Sequence, residues 1–99
     1  METEKFIYLN NLFSLYHSLL SETQKEILQD YYEYNLSLSE ISENRNISRS
    51  AVDDALKKGT KKLNELEDKL HLYQLIKDLK DIDDQKINEI LNKYLGGLD

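Results

Sequence analysis

The chain has no cysteine and no proline, only three glycines (Gly59, Gly96 and Gly97) and only two histidines. Without cysteine there is no disulfide and no thiolate, either as nucleophile or as ligand. His17 and His71 stand far apart, so no zinc-ligand spacing exists. Proline and glycine are the residues that most often interrupt regular structure. Their scarcity in 99 residues dominated by Leu, Lys, Glu, Asp, Ile and Asn predicts an all-α fold in one domain over 1–99, with a single core. There is no apolar run long enough to span a membrane, and no basic start followed by a short apolar segment and a small-residue cleavage site. The expectation is a cytoplasmic protein. A glycine-rich phosphate loop is also missing, no serine has a histidine at motif spacing, and the carboxylate pairs lie on solvated faces. The chain reads as a non-enzyme with no cofactor and no metal.

What is present is organised around residues 38–58. Two short helical patterns are separated there by the polar break Asn44-Arg45-Asn46. Ser37 stands where an N-cap is wanted and Glu40 lies three residues on, a capping box. Leu38, Ile41 and the small Ser42 share a face. Asn46 is expected in the left-handed turn conformation, which Asn accepts more cheaply than most residues. Ile47 is expected to plug the angle between the helices, and Ser48 to cap the second one. This is a helix-turn-helix pattern. In such a unit the outward first turn of the second helix meets base edges, while hydroxyls and lysines hold phosphates. The candidate nucleic-acid-binding residues are Ser37, Ser39, Ser48, Arg49, Ser50, Asp53, Lys57, Lys58 and Lys61, with Arg49 as the reader. A plain helical hairpin carries the same spacing, so the pattern specifies shape more firmly than binding.

The second motif helix should be long. Val52, Leu56, Gly59, Leu63, Leu66, Leu70 and Tyr73 step by four and three without interruption, which predicts about six turns starting at Ser48. Gly59 costs such a helix about 1 kcal/mol relative to alanine, so another backbone, from the first or second helix, is expected to pass close by. His71 marks a bend or a solvent position.

Upstream, Phe6, Leu9, Phe13, Tyr16 and Leu20, widened by Leu12 and Leu19, predict a core-facing helix over Glu4 to Leu20. A second capping box, Ser21 with Gln24, opens a helix to about Tyr34 with Ile27, Leu28 and Tyr31 inward. Tyr16, Tyr31, Tyr73 and Tyr94 lie on apolar stripes and should pack with their hydroxyls at the surface. Tyr32 and Tyr34 are the two placed where a base could stack. Downstream, Leu75, Ile76 and Leu79 continue the stripe. Asp83 or Asp84 should then cap a last helix, Gln85 to Leu95, with Ile87, Ile90, Leu91 and Tyr94 inward and Gly96-Gly97 as its stop. The acids between 78 and 84 lack the glycine and spacing of a calcium loop. The sum is five or six helices. The crowding of Leu70, Leu72, Leu75, Ile76 and Leu79 predicts a homodimer.

Charge divides the chain into thirds. Residues 1–35 carry two Lys against six acids, residues 36–62 six bases against four acids, and residues 63–99 five Lys against nine acids. A basic centre between acidic flanks is the footprint of a motif that alone touches phosphate, but a surplus of two implies weak non-specific affinity.

Across residues 12–70 the chain resembles the YlxM-like family of small helix-turn-helix proteins, whose motif is similar to the promoter-reading fourth region of sigma factors. The resemblance rests on Leu20–Tyr32, with its capped start and paired Tyr31-Tyr32, and on Leu36-Ser37-Leu38-Ser39-Glu40-Ile41 leading to Ile47-Ser48-Arg49-Ser50-Ala51-Val52. It implies a bundle with a sigma region-4-like motif, followed over 71–99 by a helical extension. It also implies a bacterial regulatory accessory of the signal recognition particle pathway, meeting that pathway's GTPases, its RNA or both. Asn46 stands where the family usually has glycine, and Asp53 where it more often has an aromatic. Two other classes remain open beside this one. One is a sequence-specific DNA-binding regulator, weakly bound. The other is an interaction module that kept the shape and lost nucleic-acid binding, which Asp53-Asp54 favour.

Overall fold

The computed structural model describes residues 3–95. Among these the regular structure is entirely helical: α1 Thr3–Tyr16, α2 Glu22–Leu28, α3 Leu38–Arg45, α4 Arg49–Leu70, α5 Leu72–Ile82 and α6 Gln85–Leu95. The expected stop at Gly96-Gly97 lies outside the described residues.

The starts are set by short polar side chains. Ser21 accepts from the Gln24 amide while Gln24 returns a bond to the Ser21 amide, and Ser37 and Glu40 do the same at α3. Ser48 accepts from the Ala51 amide, and Asp84, rather than Asp83, accepts from the Ile87 amide. Each such cap satisfies an amide that has no partner within its own helix.

The helix ends differ from the sequence reading. The pattern Glu4 to Leu20 predicts one helix, but α1 stops at Tyr16 and a single 3₁₀ turn, His17–Leu19, leads out of it. That tightening rotates Leu19 outward to 54% exposure while Leu20 remains buried. The second helix likewise changes pitch. Residues 29–33 form a π turn, closed by the Tyr34 amide on the Gln29 carbonyl at 3.1 Å. One extra residue per turn brings consecutive Tyr31 and Tyr32 against Phe6, with ring centroids 5.8 and 5.4 Å away. Tyr32 is therefore a core residue, 3% exposed, with its hydroxyl 3.0 Å from that of Thr60. It is not a stacking platform, although Tyr34 does stand exposed.

The long helix of the sequence reading is present: α4 runs for 22 residues with no break. It is the axis on which α1, α2 and α3 pack. One apolar cluster joins Leu9, Leu12, Phe13, Tyr16 and Leu20 of the first segment to Leu28, Tyr32 and Leu63. A smaller one, Ile27, Ile41 and Val52, lies under the motif. Each fully buried aliphatic side chain contributes about 1.5–3 kcal/mol, so three of them suffice to lock the α3–α4 angle onto α2. The stripe ends sooner than its spacing, for Leu70 is exposed.

Gly59 meets α2, as expected, but through a side chain rather than the backbone. A Cβ there would sit 2.6 Å from Leu28 Cδ1 and 3.0 Å from Cδ2. Leu28 is fully buried and has little room to withdraw. Gly59→Ala gains about 1 kcal/mol of helix propensity against an overpacking cost of about 1–3 kcal/mol. Urea melts are expected to show a net loss near 1 kcal/mol. The double variant with Leu28→Ala should lose less than the sum of the two single changes; strict additivity would show that the contact is unimportant.

Below α4 the chain turns through His71 and Asp83, both at positive φ (54° and 53°), into the hairpin of α5 and α6. α5 leans on α1, where Tyr8 and Tyr73 meet edge to face with centroids 5.1 Å apart, and α6 packs on α5. The result is an elongated body of 47 × 24 × 24 Å.

Candidate nucleic-acid interface

The α3–α4 turn is held by its own backbone. Asn46 takes the left-handed conformation (φ 52°, ψ 47°), with its amide on the Glu43 and Ser42 carbonyls. The Ile47 amide donates to the Ser42 carbonyl at 3.1 Å, and the Ser42 hydroxyl donates to the Ile47 carbonyl at 2.7 Å. Ile47 does not plug the angle between the helices: it is 37% exposed. Ile41 and Val52 fill that angle, and Ser42 ties the turn.

Arg45, the last residue of α3, does a different job from the other cations. Its guanidinium makes a two-pronged pair with the buried carboxylate of Asp30, Nη2 to Oδ1 at 3.1 Å, and its Nη1 reaches Glu26 at 3.2 Å. The hydrogen bond to Asp30 raises the pKa of the guanidinium above its ordinary value. Arg45 is thus a strut from the motif to α2 and the π turn, and is withdrawn from any phosphate.

The nine candidate residues differ in what they can offer a phosphate or a base. Ser37 and Ser48 are caps, so their hydroxyl oxygens accept backbone amides and only their hydroxyl protons remain for a phosphate. Ser39 is exposed on the first turn of α3. Arg49 and Ser50, exposed on the first turn of α4, line with Leu38 and Asp53 an open depression of about 330 Å³. Lys57 lies about 12 Å further along the axis and Lys61 about 18 Å, at 1.5 Å per residue. Lys58 is about half a turn round the helix from Arg49, so one groove cannot touch both.

Two of these lysines are already engaged. Lys57 Nζ lies 2.9 Å from Asp53 and Lys58 Nζ 3.0 Å from Asp54; the hydrogen bond to Asp53 raises the pKa of the Lys57 ammonium. Exposed pairs of this spacing are weak, so a phosphate can displace the carboxylate. Among the described residues, Arg49, Lys61 and Lys62 have no carboxylate within ion-pair distance. Lys62 was not among the candidates, although its exposure on the same helix adds to the positive field.

Comparison with known proteins places this motif. The model of the UPF0122 family, YlxM / p13-like helix-turn-helix proteins, matches residues 3–95, taking in the motif and the α5–α6 hairpin together. The chain belongs to this family. A UPF0122 protein of Fusobacterium nucleatum is 42% identical over 102 residues, covering 99% of each chain. One from Lactococcus lactis is 39% identical over 94 residues, covering 95% of this chain and 81% of its own. One from Mycoplasma mycoides is 42% identical over 90 residues, covering 87% and 80% respectively. The capped motif is therefore that of a helix-turn-helix family. No helix among the described residues is long and apolar enough to cross a membrane.

Proposed function

We propose that this protein is a non-catalytic helix-turn-helix regulator, an accessory of the bacterial signal recognition particle pathway that meets the pathway's GTPases, its RNA or both through the α3–α4 surface. What supports this reading is one feature of the motif: Arg49 and Ser50 open the first turn of α4 to solvent, while the next cation along that stripe, Lys57, is tied to Asp53. Such a face offers few phosphate contacts unless a carboxylate is first displaced. Each phosphate contact contributes about one unit to the salt slope of log affinity, so a face with so few binds weakly alone. It suits an accessory held jointly by a protein and a structured RNA better than a free-standing operator reader.

The runner-up is a sequence-specific DNA regulator. It is favoured by the depression beside Arg49, which Asp53 helps to line; a carboxylate can accept from a cytosine amino group.

Titration of labelled structured RNA and duplex DNA at two salt concentrations separates the two. For the accessory reading, Arg49→Ala weakens RNA binding and reduces the salt slope by about one unit. Asp53→Asn tightens it for every sequence, because a carboxylate within a screening length of about 8 Å repels phosphate. For the DNA reading, Asp53→Asn costs about 1–3 kcal/mol of discrimination at a single base pair. Pull-down from a bacterial lysate with and without nuclease gives the protein side: recovery of targeting GTPases supports the accessory reading, and recovery of RNA polymerase supports the other. Salt-insensitive curves identical for all three proteins would remove nucleic acid from this face.

A further inference from the structure

The α5–α6 hairpin carries an apolar face that the other described residues leave uncovered. Leu75 is 54% exposed, Ile82 63%, Ile90 58% and Tyr94 73%. Leu75, Leu79 and Ile82 step by four and three along α5, and Ile87, Ile90 and Tyr94 by three and four along α6, so each set forms one stripe. Only Ile76 and Leu91 are buried within the hairpin. The homodimer predicted from the sequence placed Leu72 and Ile76 in the contact, but Leu72 packs on the main core and Ile76 faces α6. The uncovered stripe lies beside them.

We propose that this face binds the same face of a second copy of the chain, two hairpins closing about a two-fold axis into a four-helix bundle. The proposal is independent of what the motif binds. Three observations favour a second copy over another partner. First, the hairpin is nearly neutral: residues 72–95 carry four Lys and five acids, in a chain of net charge −6, so the repulsion that would keep two acidic chains apart is least here. Second, the charges are arranged in opposition along it. The tip, residues 80–86, holds Asp81, Asp83 and Asp84 against Lys80 and Lys86, and the base holds Lys93. An antiparallel two-fold lays each tip against the partner's base, acid to base. Third, α6 has eleven residues, shorter than an isolated helix that persists in water, and it packs on α5. A symmetric partner supplies the missing cover using the same residues from both sides, as isologous interfaces do.

The two-fold axis then passes near the middle of α6, which puts Ile90 close to its own copy and Ile82 far from its own. The chain has no cysteine, so an introduced one reports alone. Sedimentation of the full chain at about 100 µM is expected to give a dimer. Ile90→Glu and Leu75→Glu, both at exposed positions, should give monomers with unchanged helical circular dichroism, while Arg49→Ala remains dimeric. Under mild oxidation Ile90→Cys should form a disulfide-linked dimer at least ten-fold faster than Ile82→Cys. A wild-type monomer at that concentration overturns the proposal, as does a dimer that survives both glutamate substitutions. Equal cross-linking of the two cysteine variants overturns the antiparallel arrangement.

Discussion

Arg45→Ala is expected to destabilise the fold by about 2–4 kcal/mol, one of the largest effects of any single side chain at the surface of the motif. The reason lies with its partner. The Asp30 side chain is only 9% exposed and that of Arg45 32%, so removing the guanidinium leaves a carboxylate among apolar groups with its main counter-charge gone. Breaking a buried pair in this way costs about 3–5 kcal/mol, and the partial exposure of Arg45 reduces the figure. If the stranded charge is the cause, adding Asp30→Asn to Arg45→Ala should restore at least 1 kcal/mol, because a neutral amide is far cheaper to bury. Urea denaturation of the two single variants and the double variant measures this. A loss under 0.5 kcal/mol for Arg45→Ala, or no recovery in the double variant, would show that α3 is held by its apolar contacts and not by this pair.

Glu67→Ala is the second large effect, and it should be local. Helix α5 begins after His71, whose side chain caps nothing. The caps come instead from the preceding helix: Glu67, 7% exposed, accepts from the Tyr73 amide at 2.9 Å and the Gln74 amide at 3.1 Å. Tyr16 completes the joint, its hydroxyl donating to Glu67 at 2.7 Å and accepting from the Leu72 amide at 3.2 Å. Three donors lose their acceptor in Glu67→Ala, each worth about 1–3 kcal/mol when buried. Some are reached by water, so a total near 2–4 kcal/mol is expected. Hydrogen exchange should accelerate first at the amides of 72–75, while the α4 amides near Val52 keep their protection. Uniform acceleration along the chain would contradict a local cap.

The same joint predicts an alkaline limb. Burial, reinforced by the bond to Glu67, pushes the Tyr16 phenol up to about 12, against about 10 in the unfolded chain. A group whose folded pKa is raised favours folding fully below the unfolded value and loses that contribution as pH rises through the folded one. Stability should therefore fall between pH 10 and 12, and Tyr16→Phe should flatten the fall relative to wild type. Tyr8 and Tyr32 are also raised by burial, so the comparison is made between the two proteins rather than from one curve.

The sequence by itself determined whatever depends on neighbours a few residues apart. Ser21, Ser37, Ser48 and Asp84 cap helices because a side-chain oxygen two or three residues from an unpaired amide has one nearby place to go. Asn46 turns left-handed because few residues do so cheaply, and the unbroken 22-residue α4 follows from apolar steps of three and four. The all-α class and the helix-turn-helix were legible for the same reason.

Only the tertiary structure decided what depends on partners far along the chain. Glu67 and Tyr16 meet across 51 residues, and Arg45 and Asp30 across 15 and a change of helix. No periodicity distinguishes a glutamate that will be buried from one on a solvated face, since burial is set by what packs over it. The π turn that carries Tyr32 into the core, and the 3₁₀ turn that sends Leu19 out, shift side chains by fractions of a helical turn. They result from packing against α1 and α4 rather than from local preference. The charge of the motif divides between the two: Lys57–Asp53 and Lys58–Asp54 are four-residue pairs along one helix, but the pairing of Arg45 with Asp30 and Glu26 exists only once the helices have come together.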